Sequence, residues 1–241
     1  MPEGGFFYYL GDSLTAMRGG GVVGSGAESG APHAIAAAAA HTPVAEVRKD
    51  VATPLTGGDM QRLLPGARIL TYPTLGHFRS IEDVLRDPRV RTRPNPAHAF
   101  IVLFVTDKSF EGGTEFLDGH WCAVFYNGAG ELEYFDPYGE PVDSPLRELS
   151  PEDRAKLGET RFYLRDLLAD YAKRGGPITV NRIAFQKDRR DVATCGRHCA
   201  FRVRNRHLTD EEYARKISEA PGVPPDVYVT LATEAALGHA R

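Results

Sequence analysis

The chain has 241 residues, 42 % hydrophobic and 25 % charged, with 29 Lys+Arg against 32 Asp+Glu for a formal net charge of −3. These values fit one sizeable domain with its own core, exclude a globally basic nucleic-acid binder, and leave no run near the roughly 18 apolar residues of a membrane helix. Three cysteines exclude a disulfide scaffold and imply a reducing compartment; acidic Glu3 and a short apolar run at 6–10 are not a secretory leader, so a protein that is not secreted and has no membrane partner is expected.

Residues 1–54 are read as a Gly/Ala-rich, partly flexible N-terminal segment. Gly19-Gly20-Gly21, the 24–30 stretch and the alanine run 36–40 offer little to bury beyond a short alanine helix, and 1–10 reads as a strand that docks elsewhere. From Leu55 the texture is that of a folded domain, taken as 55–220. Thr56 and Asp59 introduce a short helix through Met60, Leu63 and Leu64, closed by Pro65-Gly66. Ile81, Val84 and Leu85 form a second. The apolar run 100–105 is a buried strand. Strands at 120–126 and 131–136 flank Asn127-Gly128-Ala129-Gly130, a hairpin turn. Leu164, Leu167, Leu168 and Tyr171 give a helix ending at Gly175-Gly176-Pro177, and 178–185 is strand-like. A helix starts at Cys195, and Thr209 with Glu212 caps another. Residues 221–241 form a tail or short helix. Strands and helices mix without regular βαβ alternation, so the fold class is α+β.

Three motifs compete for chemistry. Gly19-x-Gly21-x-x-Gly24 has the dinucleotide spacing but neither a strand before it nor an apolar helix after it, and is read as chance. Gly11-Asp12-Ser13-Leu14 follows an apolar run as in GDSL esterases, but no Asp-x-x-His exists to supply the base, so it is read as a turn. Cys195 opens a helix, where unpaired amides and the helix dipole lower a thiol pKa. Cys199, one turn on, reads as a small core residue.

The hairpin bears on that thiol. With Tyr126 opposite Gly130, counting outward puts His120 opposite Asp136, Cys122 opposite Tyr134 and Val124 opposite Leu132, with paired Cβ atoms about 4.5–5.5 Å apart. Cys195, His120 and Asp136 then form a nucleophile, base and orienter. Gln186 could join the Cys195 backbone N–H as an oxyanion donor. On the residues alone, this set and a pair of structural cysteines are equally good readings. His198 is a rival base with poorer same-helix geometry. Zinc on His120, Cys122, Cys195 and Cys199 is disfavoured because no Cys-x-x-Cys exists.

Gly119-His120-Trp121-Cys122-Ala123-Val124-Phe125-Tyr126, then Tyr134-Phe135-Asp136-Pro137-Tyr138-Gly139, Ile178-Thr179-Val180, Gln186 and Ala193-Thr194-Cys195-Gly196-Arg197-His198-Cys199 resemble the adenain-like maturation proteases of adenoviruses. They also resemble the wider clan with the Ulp-type SUMO proteases. The resemblance covers about residues 100–207. It implies a papain-like or adenain-like fold: a mixed sheet packed against helices, with the nucleophile at the N-terminus of a central helix. His120 is then the base, Asp136 its orienter, Cys195 the nucleophile, Gln186 an oxyanion donor and Trp121 part of the substrate cleft. The implied activity is cleavage of viral capsid or core precursors after glycine, in the virion and the host cytoplasm or nucleus; a deSUMOylase and an inactive virion component are the alternatives.

Two departures bear on activation. Pro177 stands where adenain binds its activating peptide through a cysteine, so covalent activation is not expected. Adenain also uses DNA, whereas this chain is slightly acidic. No cofactor is therefore required, although ten Lys+Arg in 173–206 (173, 174, 182, 187, 189, 190, 197, 202, 204, 206) offer phosphates a local surface. Gly19-Gly20-Gly21 and Gly57-Gly58 suggest self-trimming.

Overall fold

The computed structural model describes residues 7–9, 31–86, 95 and 97–238. The Gly11-Asp12-Ser13-Leu14 and Gly19-x-Gly21-x-x-Gly24 motifs, and the triple glycine with them, lie outside the described residues. One six-stranded sheet runs β2 (Arg68–Thr71), β3 (Ala99–Glu111), β4 (Thr114–Tyr126), β5 (Leu132–Phe135), β6 (Ile178–Val180), while β1 (Phe7–Tyr9) pairs antiparallel with β4 at 116–118. The outer pairs β2–β3 and β5–β6 are parallel and the inner two are antiparallel, a mixed sheet.

The apolar run at the start of β3 is buried on both faces, and its alternation splits the core in two. Ile101 and Leu103 face the side of Trp121, Ala123 and Phe125, covered by α3 (Gly57–Leu63), α7 (Cys195–Arg204), α8 (Asp210–Ile217) and α9 (Pro225–Leu237). Phe100, Val102 and Phe104 face the side of Cys122, Val124 and Tyr134, covered by α4 (Ile81–Leu85) and α6 (Tyr163–Lys173). The capping boxes read at Thr56/Asp59 and Thr209/Glu212 are both formed.

Several elements differ from the sequence reading. The β4–β5 register is shifted by two: Tyr126 pairs with Leu132 and Val124 with Tyr134. The cause is Asn127, whose side-chain oxygen accepts from Ala129 N and Glu131 N while its own N–H bonds Glu131 O, so the loop closes over 127–131. A shift of two keeps every side chain on its face. The strand at 178–185 is only three residues long, because Asn181 turns to bind both the N–H and the carbonyl of Asp136.

Short β2 and α5 (Pro151–Leu157) are further elements. Within 1–54, α1 (Ala31–His41) and α2 (Val44–Ala52) pack on α9, and the last turn of α2 and the chain just after it are tied down: Val51 O accepts from Ala193 N at 2.9 Å, and Leu55 O from the Trp121 indole at 3.2 Å. Gly57 and Gly58 form the first turn of α3, with Gly57 buried, which is not the extended chain a protease takes. The tail is a 13-residue helix, α9.

Candidate active site

Strand β4 carries His120 on a stretch that neither β1 nor β5 reaches among the described residues, since β1 pairs with β4 to Asp118 and β5 only from Ala123. Asp136 directly follows β5, one residue beyond the last pair Ala123–Phe135, which sets it across from Cys122 and two residues along β4 from His120, so the two side chains meet diagonally on one face. His120 Nε2 lies 3.0 Å from Asp136 Oδ1, with side chains 13 % and 1 % exposed. Asp136 is held in turn. Its Oδ1 accepts from Tyr138 N at 2.8 Å, its Oδ2 is approached by Tyr134 Oη at 3.4 Å, and Asn181 clamps its backbone. With Nε2 engaged by the carboxylate, Nδ1 is the ring nitrogen left to act as a base.

Burial opposes a charge on His120. The neighbouring Cys122 sulfur and the Asp136 carboxylate outweigh it, and the imidazole is held well above its ordinary value. Burial pushes the Cys122 thiol up to about 12, so at neutral pH it is an uncharged S–H and the carboxylate is what stabilises the imidazolium. Burial likewise pushes the Cys199 thiol up, and its S–H donates to Trp121 O at 3.2 Å. Neither thiol is poised as a nucleophile.

Cys195 is the first residue of α7, packed beside Trp121, the chain neighbour of His120: a Cβ added to Gly196 would lie 3.0 Å from Trp121 Cδ1. Tyr138 links the remaining parts. Its ring stacks on His120 at 4.9 Å between centroids, its hydroxyl accepts from Gln186 Nε2 at 3.0 Å, and burial followed by the charge of Cys195 raises its pKa. His120, Asp136 and Gln186 are thus joined through direct contacts, and Cys195 lies within electrostatic reach of Tyr138.

The cleft expectation changes, and the two disfavoured alternatives gain no support. Trp121 is 1 % exposed and, rather than facing an open cleft, has its indole N–H on Leu55 O. His198 is fully buried, bonded to Asp226 at 3.2 Å and facing Tyr213 Oη at 3.4 Å, so it is no rival base. The four zinc candidates do not converge; among the described residues the metal-capable group is His120, Cys122 and Asp136, whose donor atoms lie within 4.8 Å of one another. In the basic segment, Arg197 and Arg202 are buried on Glu234 and Glu133, and Arg174 and Arg189 pair with Glu82 and Asp191, so much of its charge is neutralised within the molecule. Asp226 escaped the sequence reading altogether, because its partners lie 28 to 39 positions away.

These positions define a class: an α+β protein whose mixed sheet presents a histidine–carboxylate pair, with a thiol that opens a sheet-packed helix within electrostatic reach of the tyrosine stacked on that histidine. No protein-family model matches the chain. It is 30 % identical over 170 residues to the uncharacterized protein V9 of Sputnik virophage, a match covering 69 % of this chain and 86 % of that one. The chain belongs to the family of that virophage protein. A solved structure, the central domain of the uncharacterized Lpg1148 protein from Legionella pneumophila, matches with a TM-score of 0.30 at 18 % identity, over 76 % of this chain and 97 % of that one. No helix among the described residues is long and apolar enough to cross a membrane.

Proposed function

We propose that the chain is a cysteine endopeptidase of the adenain type, cleaving precursor proteins of a virus after glycine. The observation that carries the reading is the buried His120–Asp136 pair at 3.0 Å, which holds the ring by Nε2 and leaves Nδ1 for a thiol. In the reaction the Cys195 thiolate attacks the scissile carbonyl carbon, and the helix dipole and His120 imidazolium stabilise that thiolate beforehand. As the C–N bond breaks, the His120 proton passes to the leaving amine. Water, deprotonated by His120, then attacks the thioester and releases the acid and the thiol. Asp136 holds the ring in place throughout.

Gln186 supports the oxyanion role through an amide with one unsatisfied edge. Nε2 reaches Tyr138 Oη and, at 3.4 Å, Val192 O, while Oε1 has no partner among the described residues. Turning the amide gives up the long Val192 contact, lets Tyr138 donate to Oε1, and presents Nε2 at the vacant edge as a donor. The preference for glycine is supported by the tight packing of Cys195, 4 % exposed beside Trp121 and Gly196, which favours residues without Cβ. The virophage relative supports a viral setting, and the proposal places the protein in the virion and the host cytoplasm or nucleus.

The test compares a precursor peptide bearing Gly-Gly-X with a SUMO–fluorophore conjugate. Peptide cleavage abolished by Cys195→Ala is expected. Preference for the conjugate makes the protein a deSUMOylase, and no cleavage of either makes it an inactive relative. A salt series with and without DNA tests the six basic residues of 173–206 outside the four ion pairs above.

A further inference from the structure

A single buried carboxylate touches both arms of the proposed oxyanion site. Asp226, the second residue of α9 and 3 % exposed, accepts through Oδ2 from the backbone N–H of Lys187, the residue after Gln186, at 3.3 Å. Its Oδ1 accepts from the hydroxyl of Thr194, the residue before Cys195, at 2.6 Å, and from His198 Nε2, one helical turn beyond Cys195, at 3.2 Å. Burial favours its protonated form, but these hydrogen bonds and the His198 interaction prevail, and its pKa is lowered.

The Thr194 contact has a second effect. Thr194 is the N-cap residue of α7, where a threonine hydroxyl ordinarily accepts from an amide of the first helical turn. Here it makes no such cap, and its hydroxyl is turned to Asp226 instead. No capping oxygen from Thr194 competes for the amides that would face an oxyanion at Cys195.

We infer that Asp226 is a positioning residue which sets the Gln186 loop and the amino end of α7 at a fixed spacing and keeps that helix end uncapped. The inference rests on the peptidase reading, because it assigns the two arms to one oxyanion. The C-terminal helix then belongs to the catalytic apparatus rather than serving only as a cover for the core.

The test separates thiolate reactivity from oxyanion binding. Iodoacetamide alkylates Cys195 by displacing iodide at carbon and forms no oxyanion. A Gly-Gly aldehyde adds the Cys195 sulfur to its carbonyl carbon, and the carbonyl oxygen becomes an oxyanion or, on taking the thiol proton through His120, a hydroxyl. Its power to protect Cys195 from iodoacetamide therefore reads the oxyanion arms without turnover. In Asp226→Asn, and independently in Thr194→Val, which keeps the side-chain shape, bare alkylation should stay within about twofold of wild type. The aldehyde concentration for half-protection should rise about 10- to 100-fold, the size expected for a misaligned oxyanion site. Half-protection unchanged in both variants overturns the inference, as does a parallel loss of alkylation and protection, which marks Asp226 as purely structural. Wild-type protection without peptide cleavage leaves Asp226 in its role and overturns the peptidase reading alone; absence of protection in wild type overturns both.

Discussion

Replacing Asp136 with asparagine removes one charge from a nearly dry pair while keeping its shape. The ring nitrogen and carboxylate oxygen are 3.0 Å apart, with side chains 13 % and 1 % exposed. Unit charges centred about 4 Å apart attract by about 4 kcal/mol at an effective dielectric constant near 20, and the carboxylate is one of the neighbours that hold the imidazole well above its ordinary value. Without the carboxylate, burial is left to oppose the imidazolium, and under the proposed mechanism the Cys195 thiolate loses the positive charge that stabilises it. The assay is the pH dependence of Cys195 alkylation by iodoacetamide, with the site read by peptide mass. Wild type should stay reactive well below pH 7, whereas Asp136→Asn should become reactive only near pH 8. At pH 6 the two rates should differ by about 100-fold. Superimposable profiles, or a shift of the asparagine variant toward acid, refute the reasoning.

Three further outcomes follow from packing and charge. Gly196→Ala puts a methyl 3.0 Å from Trp121 Cδ1 and 3.3 Å from Leu55 Cβ, and should cost about 1–3 kcal/mol in urea denaturation; an unchanged midpoint contradicts the packing described. Arg202→Leu strands Glu133 in the core and should cost about 3–5 kcal/mol, with partial recovery in the double variant carrying Glu133→Gln; a single variant as stable as wild type argues against the ion pair. Burial raises Glu133 and Glu159 to about 7 and Asp118 and Asp143 to about 6, so the folded state holds protons more tightly than the unfolded chain. Stability should therefore fall as pH rises from about 4.5 to 7, and fully buried Glu159 alone should contribute ~3 kcal/mol of the fall. A higher urea midpoint at pH 7.5 than at pH 5 reverses that sign.

The sequence carried the site further than it carried the fold. The Asn127 turn hid its true closure, because the side-chain bonds to Ala129 and Glu131 that set the register cannot be counted from residue order. The error was two residues, so His120 and Asp136 stayed on one face and met diagonally. Thr56 and Thr209 announced α3 and α8 through local capping, which depends only on neighbours. Helix α5 carried similar marks, Ser150 before it and a left-handed Gly158 after it, but buries no residue and has no apolar stripe to read. Helix α9 mixes β-branched Val229, Thr230 and Thr233 into its buried face, a pattern that does not read as helical before the sheet and α7 are in place. The bond between Asp226 and the ends of two distant loops exists only in the folded chain.

Labelling with a glycine-directed electrophile, followed by peptide mass mapping of wild type, Cys195→Ala and His120→Ala, confronts the catalytic reading with a yes-or-no result. One adduct on Cys195 in wild type, none in Cys195→Ala and a strongly slowed one in His120→Ala is the predicted pattern. An adduct on Cys122 or Cys199, or labelling of Cys195 that does not slow when His120 is removed, contradicts it.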